Sequence, residues 1–240
     1  MIEIKGLYKR FGKNEVLKEV DLDITKQGIF AILGPNGSGK TTMIKSILGM
    51  VIPDKGKLSV GCKSIKKNWK YRDQIDYLPQ IANFPPNLKV KELIAMIKDL
   101  RNRPGEDEKL IALFKLAPFL SKKLGTLSGG TKQKVNLVLS LMFDSPIIIL
   151  DEPTSGLDPI AMIHLKELII EEKSKGKIIL ITSHIMSFVE EMADEIIFLL
   201  EGKVYFKGNI EALKRQTNES NFERAIANLL TYQYAQDIKV

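Results

Sequence analysis

Cysteine is almost missing from this 240-residue chain: Cys62 is the only one. No internal disulfide can form and no thiolate cluster can hold a metal, which suits a reducing cytosolic setting. Long apolar runs are missing too. Stretches such as Ile178 to Ile181 and Ile196 to Leu200 are short, as buried strands should be, and fall far below the ~18–20 residues of a spanning helix. The opening MIEIKGLYKRFGKNEVL has no apolar h-region and does not read as a signal peptide. If such a protein works at a membrane, another polypeptide must cross it. Internal repeats, low-complexity tracts and long coiled coils are absent as well.

What is present is ordinary for a globular protein, with 44% apolar and 27% charged residues. The length fits one large domain, or a core with a smaller subdomain. The net charge of +7 could signal nucleic acid or an anionic membrane surface, but Lys and Glu are interspersed rather than blocked, so it reads as an ordinary solvated surface.

Strand patterns lie near 1–5, 16–24, 29–33, 56–60, 75–78, 147–150, 178–182, 195–200 and 203–206. Helical patterns occupy about 40–50, 90–101, 106–116, 129–143, 160–174, 184–193 and 221–230. Their alternation predicts an α/β fold with a parallel sheet, and the β-rich start predicts an added antiparallel layer. Residues 81–127, opened by Pro85-Pro86, show helical periodicity without a convincing strand and read as an inserted helical subdomain. Residues 209–240 read as a short helical tail, and 1–240 as a single domain.

The buried-strand run Ile29 to Leu33 precedes Gly34-Pro35-Asn36-Gly37-Ser38-Gly39-Lys40-Thr41-Thr42, which fits the phosphate-binding pattern GxxxxGK[ST] between a strand and a helix. Its glycines let successive backbone N–H groups face phosphates, Lys40 neutralises the β- and γ-phosphates, and the Thr41 hydroxyl suits Mg²⁺. Asp151 emerges from four aliphatic residues at a strand's carboxyl end, where it suits Mg²⁺. Glu152 beside it is the candidate general base. His184 follows another strand and can donate to a γ-phosphate. Gln80 stands where core passes into insert and can reach Mg²⁺ or the attacking water. His164 has no such setting and reads as surface or packing. Ser128-Gly129-Gly130 opens an amphipathic helix, a second anion-binding start with no use for the chain's own nucleotide.

Together these residues resemble the ATP-binding subunit of ABC transporters over nearly the whole chain. In order they match Walker A (34–41), the Q-loop (Gln80), the signature LSGGTKQ (127–133), Walker B (147–152), the D-loop (Ser155 to Asp158) and the switch His184. The resemblance implies that Ser128, Gly129 and Gly130 bind the γ-phosphate of ATP held by another subunit, in a head-to-tail homodimer or a pair with a paralogous ATPase subunit. Asp158 lies at the boundary between the two sites. It implies ATP and Mg²⁺ as ligands, and a separate transmembrane permease under which the chain sits on the cytoplasmic face. It also implies an aromatic that stacks on adenine. Phe11 stands there, where the family often has Tyr. Phe84, Pro85 and Pro86 are the expected docking surface for the permease. The wording also resembles ATPases of nitrous-oxide-reductase maturation and copper-related processing. A soluble ABC-type ATPase acting on DNA or ribosomes is the alternative, though such proteins resemble two fused halves or one half split by a coiled coil.

Overall fold

Period-two alternation builds the first layer. In the computed structural model, which describes residues 1–81 and 83–237, β1 (Ile2–Phe11) pairs antiparallel with β2 (Asn14–Ile24). Leu22 and Ile24 of β2 face inward, and Asp21 and Asp23 face water. The alternation slips between Leu17 and Val20, both buried, where Glu19 takes a left-handed φ of 57°. Such a bulge resets the strand so that both halves bury the same face. β4 (Lys55–Val60) and a short β5 (Lys63–Ser64), which sequence periodicity is too brief to reveal, complete a sheet ordered β2-β1-β4-β5.

The second sheet explains the continuous apolar runs. β3 (Gly28–Leu33), β6 (Ile75–Leu78), β7 (Ile147–Asp151), β8 (Ile178–Thr182) and β9 (Glu195–Leu200) run parallel, and β10 (Lys203–Gly208) closes one edge antiparallel. The order is β10-β9-β3-β8-β7-β6. Every residue of β3, β7 and β8 is buried, as covered faces on both sides of a parallel sheet require. Helix α1 (Lys40–Ile47) lies in the core between the two sheets.

Helices α2 (Val90–Arg101) and α3 (Asp107–Leu113) form the insert. The second stops short of the expected residue 116, because Lys115 adopts φ 54°, a left-handed ending that breaks the helical bonding. The insert buries Val90, Leu93, Leu110, Phe114 and Leu124 in one cluster with Val135 and Val138 of α4 (Gly129–Leu141) and with the sheet's outer face. Phe84 is partly buried against that cluster, and the Gly125 N–H donates to the Pro86 carbonyl (2.9 Å). Of the expected docking trio, Pro85 and Pro86 are exposed and Phe84 is partly buried. Among the described residues, the insert's exposed large hydrophobic side chains are Ile81, Met96 and Leu100.

Helices α5 (Pro159–Ser174) and α6 (Met186–Met192) continue the core. In the tail, α7 (Ile210–Thr217) and α8 (Phe222–Asp237) cover β9 and β10. Position 82 of the expected insert and residues 238–240 of the expected tail lie outside the described residues.

Candidate functional site

The carboxyl ends of β3, β6, β7 and β8 converge on one open cleft. Asn36, Gly37, Gly39, Lys40, Thr41 and Thr42 line it from the loop after β3, with Gln80, Asp151, Glu152 and His184 opposite. The loop's shape depends on its glycines. Gly34 has φ 145°, and a Cβ there would sit 1.9 Å from the Leu199 carbonyl oxygen. Gly39 has φ 105°, and a Cβ would meet Leu17 and the Val16 carbonyl below 3.0 Å. No side chain caps α1, and its first turn carries no acid, so its N–H groups remain free for an anion. Lys40 Nζ donates to the Gly34 and Pro35 carbonyls (2.7 and 2.9 Å). Burial lowers its pKa, against the opposing pull of Glu152 and Asp151. Ser38 Oγ is buried against Gly34 without a hydrogen-bond partner and is not among the residues lining the cleft.

Opposite the loop, Thr182 organises the acids. Its hydroxyl donates to Asp151 Oδ1 (2.6 Å). The Glu152 N–H donates in turn to Thr182 Oγ1 (3.0 Å) and to the Thr182 carbonyl (3.2 Å). These bonds hold Glu152 at φ 52°, a conformation that non-glycine residues adopt only under local constraint. His184 Nδ1 lies 2.9 Å from Glu152 Oε1. Burial raises the Glu152 pKa; the charges of His184 and Lys40 oppose that shift, while Asp151 adds to it. A raised proton affinity makes this carboxylate a better acceptor for a proton from water than an ordinary one.

The other expected site residues stand outside this cleft. Ser128 Oγ accepts from the Thr131 N–H (3.3 Å) and caps α4. Nothing lies within 4 Å of a Cβ built on Gly129, whereas at Gly130 it would sit 2.7 Å from the Gly156 carbonyl. Asp158 accepts from the Ala161 N–H (2.9 Å) to cap α5 and pairs with Lys134 (2.5 Å), whose hydrogen bond lowers its pKa. Phe11 ends β1, half exposed, with Lys9 Nζ 5.1 Å above its ring. It is not among the residues lining the cleft, although Asn14, its partner across the hairpin, and Val16 are.

A strand, a glycine-bent loop and a helix start face two carboxylates across this cleft, and comparison with known proteins places the chain in a family. Residues 17–155 match the ABC transporter family. The chain belongs to that family. It is 34% identical to the ABC transporter ATP-binding protein YhaQ of Bacillus subtilis over 92% of this chain and 75% of YhaQ. It is 33% identical to the lantibiotic transport ATP-binding protein SrtF of Streptococcus pyogenes over 97% and 99%. One solved structure, of an ATP-binding subunit of an ABC transporter, superposes with a TM-score of 0.90 at 30% identity over 96% of this chain and 99% of that one. A dimeric, post-hydrolysis ATP-binding cassette, MJ0796 with ADP and phosphate, gives 0.79 at 25% identity over 87% and 98%.

Reading the chain as an ABC transporter ATP-binding subunit gives a common role to two residues that sequence reasoning missed, Thr182 and Asn136, and to Gln133, which closes the signature stretch. Thr182, Gln133 and Asn136 all hold backbone or carboxylate in place. Gln133 Nε2 donates to the Pro153 carbonyl (3.3 Å) and Asn136 Nδ2 to the Pro79 carbonyl (3.0 Å). Helix α4 thus holds the turn after Glu152 and the turn before Gln80. Only its buried polar character on an otherwise apolar helix face could have signalled Asn136. Thr41 and Asp151 both line the cleft, so an Mg²⁺ arriving with a nucleotide would find a hydroxyl and a carboxylate there. No group of three or more His, Cys, Asp or Glu among the described residues could hold a metal alone. An ion there would draw on phosphate and water beside few protein ligands, as Mg²⁺ does. Among the described residues no helix is long and apolar enough to cross a membrane.

Proposed function

We propose that this chain is the ATP-hydrolysing motor of an ABC transporter, closing with a second copy or a paralogous subunit around two nucleotides and moving a separate permease. The observation that carries the reading is the separation of phosphate devices. Lys40, Gln80, Glu152 and His184 line one cleft, while the helix start at Ser128 to Gly130 lies outside it with Gly129 open to approach. A second molecule turned head-to-tail would bring its own helix start to this cleft.

In that arrangement the loop's N–H groups and Lys40 bind the phosphates. Thr41, Asp151 and Gln80 would hold Mg²⁺, which supplies charge neutralisation at phosphate oxygens. Glu152 accepts the proton of the attacking water, and His184, within reach of Glu152, orients that carboxylate and donates to the γ-phosphate. Phe11 stacks on adenine from the hairpin, beside Asn14 and Val16. Hydrolysis removes the bridge between the chains, so the interface behaves as a two-state switch. The insert transmits this to the permease through the exposed Ile81, Met96 and Leu100, and the chain sits at the cytoplasmic face through that contact.

The test is Glu152→Gln, which keeps nucleotide binding and removes the base. We expect ATP to convert this variant to a stable dimer on size exclusion while turnover falls by at least ~10²-fold. Lys40→Ala should instead weaken nucleotide binding in a titration. A Glu152→Gln protein that stays monomeric with saturating ATP and hydrolyses normally would refute the scheme.

A further inference from the structure

The chain's net charge is not spread over its surface. Between Lys55 and Arg72, seven residues are Lys or Arg and none is Asp or Glu. Taking those seven from the 36 basic residues leaves 29, equal to the 29 acidic ones. The whole excess of +7 therefore sits in eighteen consecutive residues, contrary to the interspersed pattern read from the sequence. All seven basic side chains are exposed. Lys63, Lys66, Lys67 and Lys70 make no ion pair among the described residues.

The fold gathers this segment into one surface. The Tyr71 hydroxyl donates to the Ile47 carbonyl (2.9 Å) and the Arg72 guanidinium to the Gly49 carbonyl (3.1 Å), which fold the segment back on the turn after α1. Trp69 is 65% exposed on it, and the neighbouring turn adds Met50 and Ile52, at 62% and 80%. Next to this surface stands the end of α2. Arg101 donates to the Ile75 carbonyl (3.0 Å), and Leu100 is exposed beside it. Cation density surrounding an exposed indole and two aliphatic tips is the composition that favours a bilayer interface. Lysines meet anionic headgroups, Trp settles at headgroup level, and aliphatic tips enter the acyl boundary. A nucleic acid would also draw the lysines, but its phosphate backbone, where most protein–DNA hydrogen bonds go, leaves Met50 and Ile52 without an apolar phase to enter.

We propose that residues 50–72 form a membrane-surface anchor that binds anionic phospholipid headgroups. It needs no permease, so it stands or fails independently of the motor reading.

Trp69 is the only tryptophan, and its emission reports on this surface directly. The full chain is titrated with vesicles of phosphatidylcholine alone and of phosphatidylcholine with phosphatidylglycerol. Binding to the anionic vesicles, a blue shift of Trp69, quenching by brominated acyl chains and loss in high salt are expected, with no binding to neutral vesicles. A basic residue near an anionic leaflet contributes about fivefold in partitioning. The triple variant Lys66→Glu, Lys67→Glu, Lys70→Glu should therefore bind more than ~10-fold more weakly. Trp69→Ala should bind more weakly too, and both should keep wild-type nucleotide affinity and melting temperature. Equal vesicle binding by the triple variant, or vesicle binding with unchanged Trp69 emission, overturns the anchor. So does tighter binding of a DNA duplex than of anionic vesicles when Trp69→Ala has no effect on either.

Discussion

At the scale of single residues, the proposed chemistry of the cleft rests on Glu152. Burial raises its pKa, so it stays protonated, and useless as a base, to a higher pH than an ordinary carboxylate. Activity must therefore fall as pH drops through that raised value. A pH profile of kcat should show an acid limb above the usual carboxylate range, and residual Glu152→Gln turnover should lack that limb. An acid limb unchanged in the variant would assign it to another group. Thr182 is the residue that keeps Glu152 and Asp151 in place, and Thr182→Val removes its hydroxyl while keeping its shape. The lost bonds should cost about 1–3 kcal/mol in stability. Calorimetry measures that loss. If Thr182 positions the acids, kcat per bound nucleotide should also fall by roughly 10-fold with little change in KM, which a purely structural role would leave intact. Sequence reasoning placed Glu152 and Asp151 because they end an apolar strand. It missed Thr182 because a threonine closing a neighbouring strand looks like any β-branched strand residue.

At the scale of elements, α4 links the pieces. Its start carries Ser128 to Gly130, while Gln133 and Asn136 on its body hold the turns of the chain's own cleft. Two adjacent glycines at that start separate packing from function. Gly130→Ala must displace the Gly156 carbonyl 2.7 Å away and should destabilise the chain. Gly129→Ala meets nothing within 4 Å, and within a helix it should stabilise by about 0.5–1 kcal/mol. If Gly129 exists to let another subunit's phosphate approach, this stabler variant should still lose most ATP-driven dimerisation and hydrolysis. A Gly129→Ala chain with a higher melting temperature and full turnover would show that the position serves only the fold. Most elements were legible from periodicity, since long amphipathic and continuous apolar runs specify helix and buried strand locally. What was not legible came from tertiary contacts. Examples are the two-residue β5, the shortened α3 ended by Lys115, and the partial burial of Phe84, whose environment is supplied by residues far along the chain.

At the scale of the molecule, charge is placed unevenly, and one buried charge joins the insert to the central sheet. Asp76 of β6 is 1% exposed, and neither of its carboxylate oxygens has a hydrogen bond within the geometric limits. Arg101 and Arg103, from the end of α2 and the turn after it, approach to 3.5 and 3.6 Å, and both lie over the ring of Phe143. Burial outweighs the nearby Ser145, Arg101, Arg103 and Lys177 and raises the Asp76 pKa to about 6. A raised carboxyl means that the folded state holds its proton more tightly than the unfolded chain, where the value is near 3.8. Its contribution therefore favours folding at low pH, and stability declines as pH rises from about 4 through about 6. A rise from 3.8 to about 6 corresponds to ~3 kcal/mol. Asp76→Asn fixes the neutral shape and should remove that decline. Its melting temperature relative to the wild type should climb between pH 4.5 and pH 7, by several degrees for a chain of this size. A difference that stays flat or falls over that interval would mean that the two arginines keep Asp76 ionised, and that the junction between insert and sheet is a true ion pair.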